Sequence, residues 1–159
     1  MVNVRILDNG AVSFEGIEAT LFHILQKMTE TAESSEPAVE ARFYPMPAEG
    51  SDEICQDCKA YIQPELYTEF LASREAVDAD LRRGKNKSDG TFSFMIPPPH
   101  MDHWLSALNQ ARLALAEIHQ FTEKDMGRPP GDPEDPREFA LIQLNVYSTM
   151  QEWLISMFD

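Results

Sequence analysis

Cysteines and long apolar runs are both scarce in this sequence. We expect its two cysteines to be reduced thiols, so the fold should not depend on a disulfide framework. No apolar run reaches the roughly 20 residues that a helix needs to cross a bilayer. Residues 1–10 also lack the basic region and apolar core of a signal peptide. These absences predict a cytoplasmic protein without a membrane partner.

Basic side chains are the second shortage. The chain carries 13 lysines and arginines against 27 aspartates and glutamates, which gives a net charge of -14. A field of that sign repels phosphate groups, so nucleic acids and anionic membrane surfaces are unfavourable partners.

Recognisable catalytic motifs are also missing. The sequence contains no Ser/His/Asp arrangement, no Gly-rich phosphate loop and no HExxH segment. We therefore predict no catalytic residue and no cofactor, and an enzyme is the less favoured class.

Two apolar, periodic segments dominate the C-terminal part of this 159-residue chain, whose length suits one domain over residues 1–159. In residues 101–121, Trp104, Leu108 and Leu115 recur at helical spacing. Residues 139–158 repeat the pattern. We predict that these two helices pack against each other and form the centre of the core.

The N-terminal part predicts a hairpin and further helices. Residues 2–15 alternate apolar and polar side chains around Asn9-Gly10, a pair that favours a tight hairpin turn. Helical periodicity covers residues 17–28 and 64–83, and the alternation in residues 91–96 indicates a third, short strand.

Two acidic, proline-containing segments, 30–40 and 122–137, are predicted to be exposed loops. The predicted fold is therefore mainly α. It is a helical bundle of about four main helices with a small N-terminal β-hairpin as its minor β component.

The last helix has an apolar arc too wide for one buried face. Trp153 lies on one side of the arc, and Tyr147 and Leu154 lie on another. Such a helix is either buried on most sides or contacts another chain. These three residues are therefore interface candidates, and a homodimer through the last helix is one expectation.

The central helix supplies two structural candidates, Trp104 and Arg112. A partly buried arginine needs an acidic partner, and Asp78 or Asp80 on the preceding helix is the predicted one.

Four residues form the candidate set for a metal site. Cys55 and Cys58 make a CxxC pair, and His100 and His103 lie at the start of the central helix. No second CxxC is present, so two half-buried thiols and two surface histidines are the favoured interpretation.

Three segments carry a resemblance to a known family: residues 76–85 (AVDADLRRGK), residues 104–116 (WLSALNQARLALA) and the apolar helix around Tyr147 to Leu154. With these the chain resembles the bacterial domain-of-unknown-function 2017 family, which is common in actinobacteria. That family carries no assigned activity, so the resemblance implies no catalytic residue. It implies at most a link to Clp-dependent regulated proteolysis, because family members tend to be encoded beside the Clp adaptor. This chain departs from the family pattern in its 125–137 insertion and in its CxxC.

The preferred function is a non-enzymatic protein-interaction or regulatory module with an unknown protein partner, the Clp protease system being one candidate. The first alternative is a metal-binding protein or enzyme that uses the four residues named above. The second is an acidic mimic of nucleic acid, which would bind a basic DNA-binding protein.

Overall fold

The computed structural model describes residues 2–33, 36–44, 56 and 63–157 of the chain. Within them the fold is mainly α with a minor β component, as predicted. The helices are α1 (Ala19–Gln26), α2 (Met28–Ala32), α3 (Pro37–Phe43), α4 (Gln63–Arg82), α5 (Met101–His119), α6 (Glu123–Met126) and α7 (Pro136–Met157). The strands are β1 (Asn3–Ile6), β2 (Val12–Ile17), β3 (Lys85–Asn86) and β4 (Phe92–Ile96).

The predicted N-terminal hairpin is confirmed. β1 and β2 pair antiparallel, and Gly10 in the turn has a φ of 88°, a conformation that favours glycine. The side chain of Asn9 accepts a hydrogen bond from the Ala11 N–H at 3.0 Å, which closes the turn.

The sheet extends beyond this hairpin. The predicted third strand, β4, pairs with β2, and the short β3 pairs with β4, so that the strand order is β1-β2-β4-β3. The pairing of β2 with β4 places Phe14 against Phe94, and their rings stack with centroids 4.8 Å apart. Phe94 stacks in turn on Trp104 of α5 at 5.4 Å, which joins the sheet to the bundle.

The two C-terminal helices pack against each other as predicted, and α5 also packs against α4 and α2. The buried core runs through Trp104 and Leu108 on α5 and Leu144 and Tyr147 on α7, all of them at most 1% exposed. Burial of four such large side chains makes the α5–α7 contact a main source of stability.

The predictions for residues 17–28 and 30–40 need correction. Ile17 belongs to β2, and the helix begins at Ala19. The segment predicted to be an exposed loop at 30–40 instead contains the end of α2 and most of α3. Pro37 stands in the first turn of α3, where a proline starts a helix rather than breaking it, and Val39 beyond it is fully buried.

The segment 122–137 is predicted to be an exposed loop, but α6 lies within it and α7 begins at Pro136. Thr122 and Asp125 form a reciprocal capping box around α6. Farther along, Arg128 forms two hydrogen bonds with the carboxylate of Glu138, at 2.7 and 2.9 Å. Local polar contacts therefore organise a segment whose composition indicated an exposed loop.

Candidate functional site

An apolar groove of about 250 Å³ opens between the sheet, α1 and α7. The sheet contributes Phe14 and Ile17, α1 contributes Leu21 and Leu25, and Val2 lies at the edge next to β1. The wall on α7 consists of residues on one face of the helix, namely Asn145, Val146, Thr149, Met150 and Trp153. No charged side chain lines the groove among the described residues, so it is suited to apolar groups.

Trp153 is the most exposed large apolar side chain of this groove, at 42% of its surface. Its neighbour on the helix, Leu154, is fully buried in the core. The wide apolar arc of α7 thus consists of one face that is covered by the bundle and a second face that lines the groove. A partly exposed tryptophan beside an apolar depression is typical of protein-binding surfaces.

The other interface candidates lie in the core. Tyr147 and Leu154 are fully buried, so burial within the bundle, the first of the two alternatives for this helix, applies to both of them. The Tyr147 hydroxyl donates a 2.7 Å hydrogen bond to the carbonyl of Ile24, which ties α7 to α1. Burial raises the pKa of Tyr147 to about 12, so that this hydroxyl remains a donor.

A second site is polar and is formed around a buried carboxylate near the C-terminal end of α4. The side chain of Asp80 is 1% exposed and accepts a hydrogen bond from the indole N–H of Trp104 at 2.8 Å. His100 Nδ1 lies 2.8 Å from the same carboxylate, and Arg83 forms an ion pair with it at 3.2 Å. Since a carboxylate only accepts hydrogen bonds, His100 donates from Nδ1. Three donors around one buried acid satisfy it and join α4, α5 and the Pro98–His100 turn.

A second histidine, His103, lies beside this site, with its ring centroid 6.1 Å from that of His100. Its Nδ1 is 3.0 Å from the hydroxyl of Ser73, and that hydroxyl donates to the carbonyl of Glu69 at 3.0 Å. A single hydroxyl hydrogen cannot serve both acceptors, so the hydrogen bond to Glu69 competes with any transfer of that proton to His103. The arrangement resembles a nucleophile and its base in composition only.

The candidate metal set is not assembled by the described part of the chain. His100 and His103 both use Nδ1 for hydrogen bonds within the protein, whereas Cys55 and Cys58 lie outside the described residues. In the described ranges, no group of three or more His, Cys, Asp or Glu side chains could hold a metal ion.

The predicted partner of Arg112 is wrong. Arg112 donates to the side chain of Gln151 on α7. Asp78 instead accepts a hydrogen bond from the hydroxyl of Thr29 at 2.7 Å, and Asp80 is occupied by the donors already described. Arg112 thus links α5 to α7, and its role is structural.

Sequence reasoning predicted an apolar helical groove, but it missed Asp80 as a shared acceptor and did not identify the segments that form the groove. The spacing of Val77, Asp80 and Leu81 provides a signal for the shared acceptor. An acid that falls between two buried positions of a helix needs a buried donor, and a tryptophan on the next helix can supply it. For the groove, the wide apolar arc of the last helix indicates one wall, but the other walls come from segments far apart in the sequence and carry no such signal.

Comparisons with known proteins identify a family for this chain but no individual relative. No helix in the described ranges combines the length and apolar character needed to span a bilayer. No curated protein and no solved structure matches the sequence. A family model does match, over residues 7–158, and its match includes all seven described helices and every residue that lines the groove except Val2. The chain therefore belongs to the family described as "Domain of unknown function (DUF2017)".

Proposed function

We propose that this chain is a non-enzymatic, cytoplasmic protein-interaction module whose groove receives apolar side chains of a partner protein. The observation that supports this most directly is Trp153, which leaves 42% of its surface uncovered at the mouth of an apolar groove. Tryptophans in such positions contribute disproportionately to protein–protein affinity.

The size of the groove favours a protein segment over a whole small molecule. Its volume of about 250 Å³ is below the roughly 300–1,000 Å³ of typical small-molecule sites. Among the described residues no charged side chain lines it, and its two polar side chains, Asn145 and Thr149, both come from α7, so it has no set of polar groups converging from several elements to orient a metabolite. One or two apolar side chains, presented by a helix or an extended segment, fit such a groove.

The negative charge of the chain favours a basic partner segment. The chain has a net charge of -14, and two exposed acids, Glu18 and Glu152, directly follow or precede groove residues in the sequence. We expect a partner segment in which apolar side chains are flanked by lysine or arginine. Such binding weakens as salt is added, because the attraction of the acidic surface for basic side chains is screened.

The proposal includes the Clp system as a candidate partner. The support for it is the association implied by the family resemblance, and the adaptor itself or a protease subunit would be the protein to look for. A groove that receives apolar side chains is compatible with an adaptor role, in which one protein presents another to a protease.

Two exposed residues on α7 provide a matched test. Trp153 lines the groove and Ile155 does not, although Ile155 is exposed to a similar extent, 46%. Each is replaced with glutamate in the full chain, so that both variants gain the same charge on the same helix. Proteins retained from an extract of the source cells, including Clp components, are then quantified by mass spectrometry.

We expect Trp153→Glu to reduce retention of the specific partner at least tenfold, while Ile155→Glu leaves it within about twofold. Equal retention by the two variants would exclude the groove as the binding surface. Far-UV circular dichroism of both variants checks that each remains folded.

A further inference from the structure

The strand β1 lies at an edge of the sheet. Within the described residues it pairs only with β2, and three of its four residues, Asn3, Arg5 and Ile6, are exposed. An uncovered edge strand offers its backbone N–H and C=O groups to another strand. Its apolar side chains and its charge then determine which strand can pair with it.

The backbone direction along β1 is fixed by the turn that follows it. Leu7 donates a 2.8 Å hydrogen bond to the carbonyl of Ala11, so its backbone groups point toward β2. Because backbone direction alternates along a strand, Arg5 and Asn3 also point toward β2. The backbone groups of Val2, Val4 and Ile6 therefore point to the open edge.

The same alternation divides the side chains between the two faces of the sheet. Val4 pairs with the buried Phe14, and Ile6 pairs with the buried Val12, so both belong to the inner face, as does Val2. Asn3 and Arg5 belong to the outer face. Ile6 remains 48% exposed although it is on the inner face, because no described element covers it beyond the edge.

We propose that β1 pairs antiparallel with β1 of a second copy, with Val4 facing Val4 on the twofold axis. In this register the backbone N–H and C=O groups of Val2, Val4 and Ile6 form hydrogen bonds with the second copy. On the inner face Val2 lies opposite Ile6 of the second copy. On the outer face Asn3 lies opposite Arg5.

Arg5 and Ile6 favour this register over the two registers that differ from it by two residues. A shift of two residues toward the turn would place Arg5 opposite Arg5, and like charges in directly opposite positions are destabilising. A shift of two residues the other way would leave Ile6 without an apolar neighbour. The Val4 register avoids the repulsion and covers Ile6.

The dimer also changes the groove. Val2 lines the groove at the open edge of β1, so Ile6 of the second copy, lying beside Val2, extends the apolar wall. Each groove of the dimer then contains a residue from both copies. Self-association and partner binding through Trp153 are tested separately, because the first is measured as the mass of the chain alone and the second as retention of a partner.

The first test is the mass of the full chain in solution, measured by sedimentation equilibrium from about 5 to 300 µM, a range wide enough to reveal a weak association by mass action. We expect the mass to rise from 18.1 kDa toward twice that value. Two copies with net charge -14 repel each other, so raising NaCl from about 50 to 500 mM increases the dimer fraction. A basic partner in the groove shows the opposite salt dependence. A monomer at every concentration and salt level would overturn the proposal.

The second test determines the register by disulfide formation in a chain in which Cys55 and Cys58 are replaced with serine. Val4→Cys places two thiols opposite each other, with Cα atoms about 5.5 Å apart, within disulfide range. Ile6→Cys places its two thiols four residues out of register, about 14 Å apart along the strands. With copper–phenanthroline as oxidant, we expect Val4→Cys to cross-link at least tenfold faster, although Ile6 is the more exposed position.

Equal or faster cross-linking of Ile6→Cys would overturn the register and the proposal with it. Val4→Pro supplies a variant that does not depend on oxidation. It removes an N–H that points to the open edge and leaves the β1–β2 hydrogen bonds in place. We expect it to stay monomeric at concentrations where the unmodified chain is dimeric, with its thermal midpoint retained. A Val4→Pro dimer of unchanged affinity would also overturn the proposal.

Discussion

Replacing Trp104 with phenylalanine should lower stability, mainly through the loss of one hydrogen bond. The indole N–H of Trp104 donates to Asp80 at 2.8 Å, and the side chain of Asp80 is 1% exposed. Phenylalanine retains an aromatic ring for the contact with Phe94 but cannot donate. The buried carboxylate then keeps its contacts with His100 and Arg83 only.

The expected loss follows from the burial of both groups. A hydrogen bond to a charged group contributes about 1.5–3 kcal/mol, and little water can replace the missing donor in a buried site. The smaller ring also leaves a partly filled space, which costs about 1 kcal/mol more. The total of about 2.5–4 kcal/mol corresponds to a decrease of roughly 5–15 °C in the thermal midpoint of a chain of this size.

The assay is urea unfolding followed by far-UV circular dichroism, with Asp80→Asn and the double variant completing a thermodynamic cycle. We expect a coupling free energy of about 1–2 kcal/mol between the two positions. Trp153→Phe is the matched control, because the indole of Trp153 forms no hydrogen bond within the described part of the chain, and it should change stability by less than about 0.5 kcal/mol.

Two results would refute the reasoning. A coupling near zero would show that the Trp104–Asp80 hydrogen bond does not stabilise the fold. An Asp80→Asn variant more stable than the unmodified chain would mean that the carboxylate is kept at a cost to stability, as functional groups often are. That outcome would favour the enzyme alternative.

Three further predictions concern the rest of the molecule. Tyr147→Phe removes the donor to the carbonyl of Ile24 and should cost about 1–2 kcal/mol in urea unfolding; an unchanged midpoint would contradict it. A hydrogen bond from Arg137 lowers the pKa of Asp125 from 3.8, so this carboxylate stabilises the fold above its unfolded pKa and loses that effect as the pH falls. The thermal midpoints of Asp125→Asn and the unmodified chain should therefore differ at pH 7, and the difference should begin to shrink only below about pH 4, as the pH falls toward the lowered folded pKa; a pH-independent difference would contradict this. Gly84→Ala places a Cβ 2.8 Å from the carbonyl oxygen of Leu81 and should cost about 1–3 kcal/mol, whereas Gly90→Ala, with nothing within 4 Å, meets no such contact and tests backbone strain alone.

The elements that could be predicted from the sequence are those whose evidence is local. The turn at Asn9-Gly10 specifies a hairpin by its own conformational preferences, and the alternation on either side of it gives the strands. In α5, the recurrence of Trp104, Leu108 and Leu115 records a face that is indeed buried. Packing of α5 against α7 followed because two apolar faces in one small domain must cover each other.

The predictions of exposed loops are wrong where the position of a residue, and not its type alone, determines the local structure. Pro37 was read as a loop residue but begins α3. Thr122 and Asp125 form a capping box that starts a helix within a segment judged by composition. Both signals were present in the sequence, and positional rules for prolines and caps would have found them.

Contacts between distant segments could not be predicted in the same way. Arg112 was assigned to an acid on the neighbouring helix, but its partner is Gln151, 39 residues away. Asp80 meets Trp104 and His100 because α4 and α5 have one particular relative rotation. Periodicity gives the buried face of each helix, but it leaves that rotation open.

Trp153 and Leu154 show what this limit means for function. They are consecutive apolar residues that differ by about 100° around the helix. The sequence therefore does not indicate which of the two is buried in the core. Leu154 is buried and Trp153 remains partly exposed because α1 and the sheet stop short of it and leave a groove. Whether a face of α7 belongs to the core or to a binding surface is thus decided by the elements around it. The glutamate substitutions at Trp153 and Ile155 test that surface without disturbing the buried face.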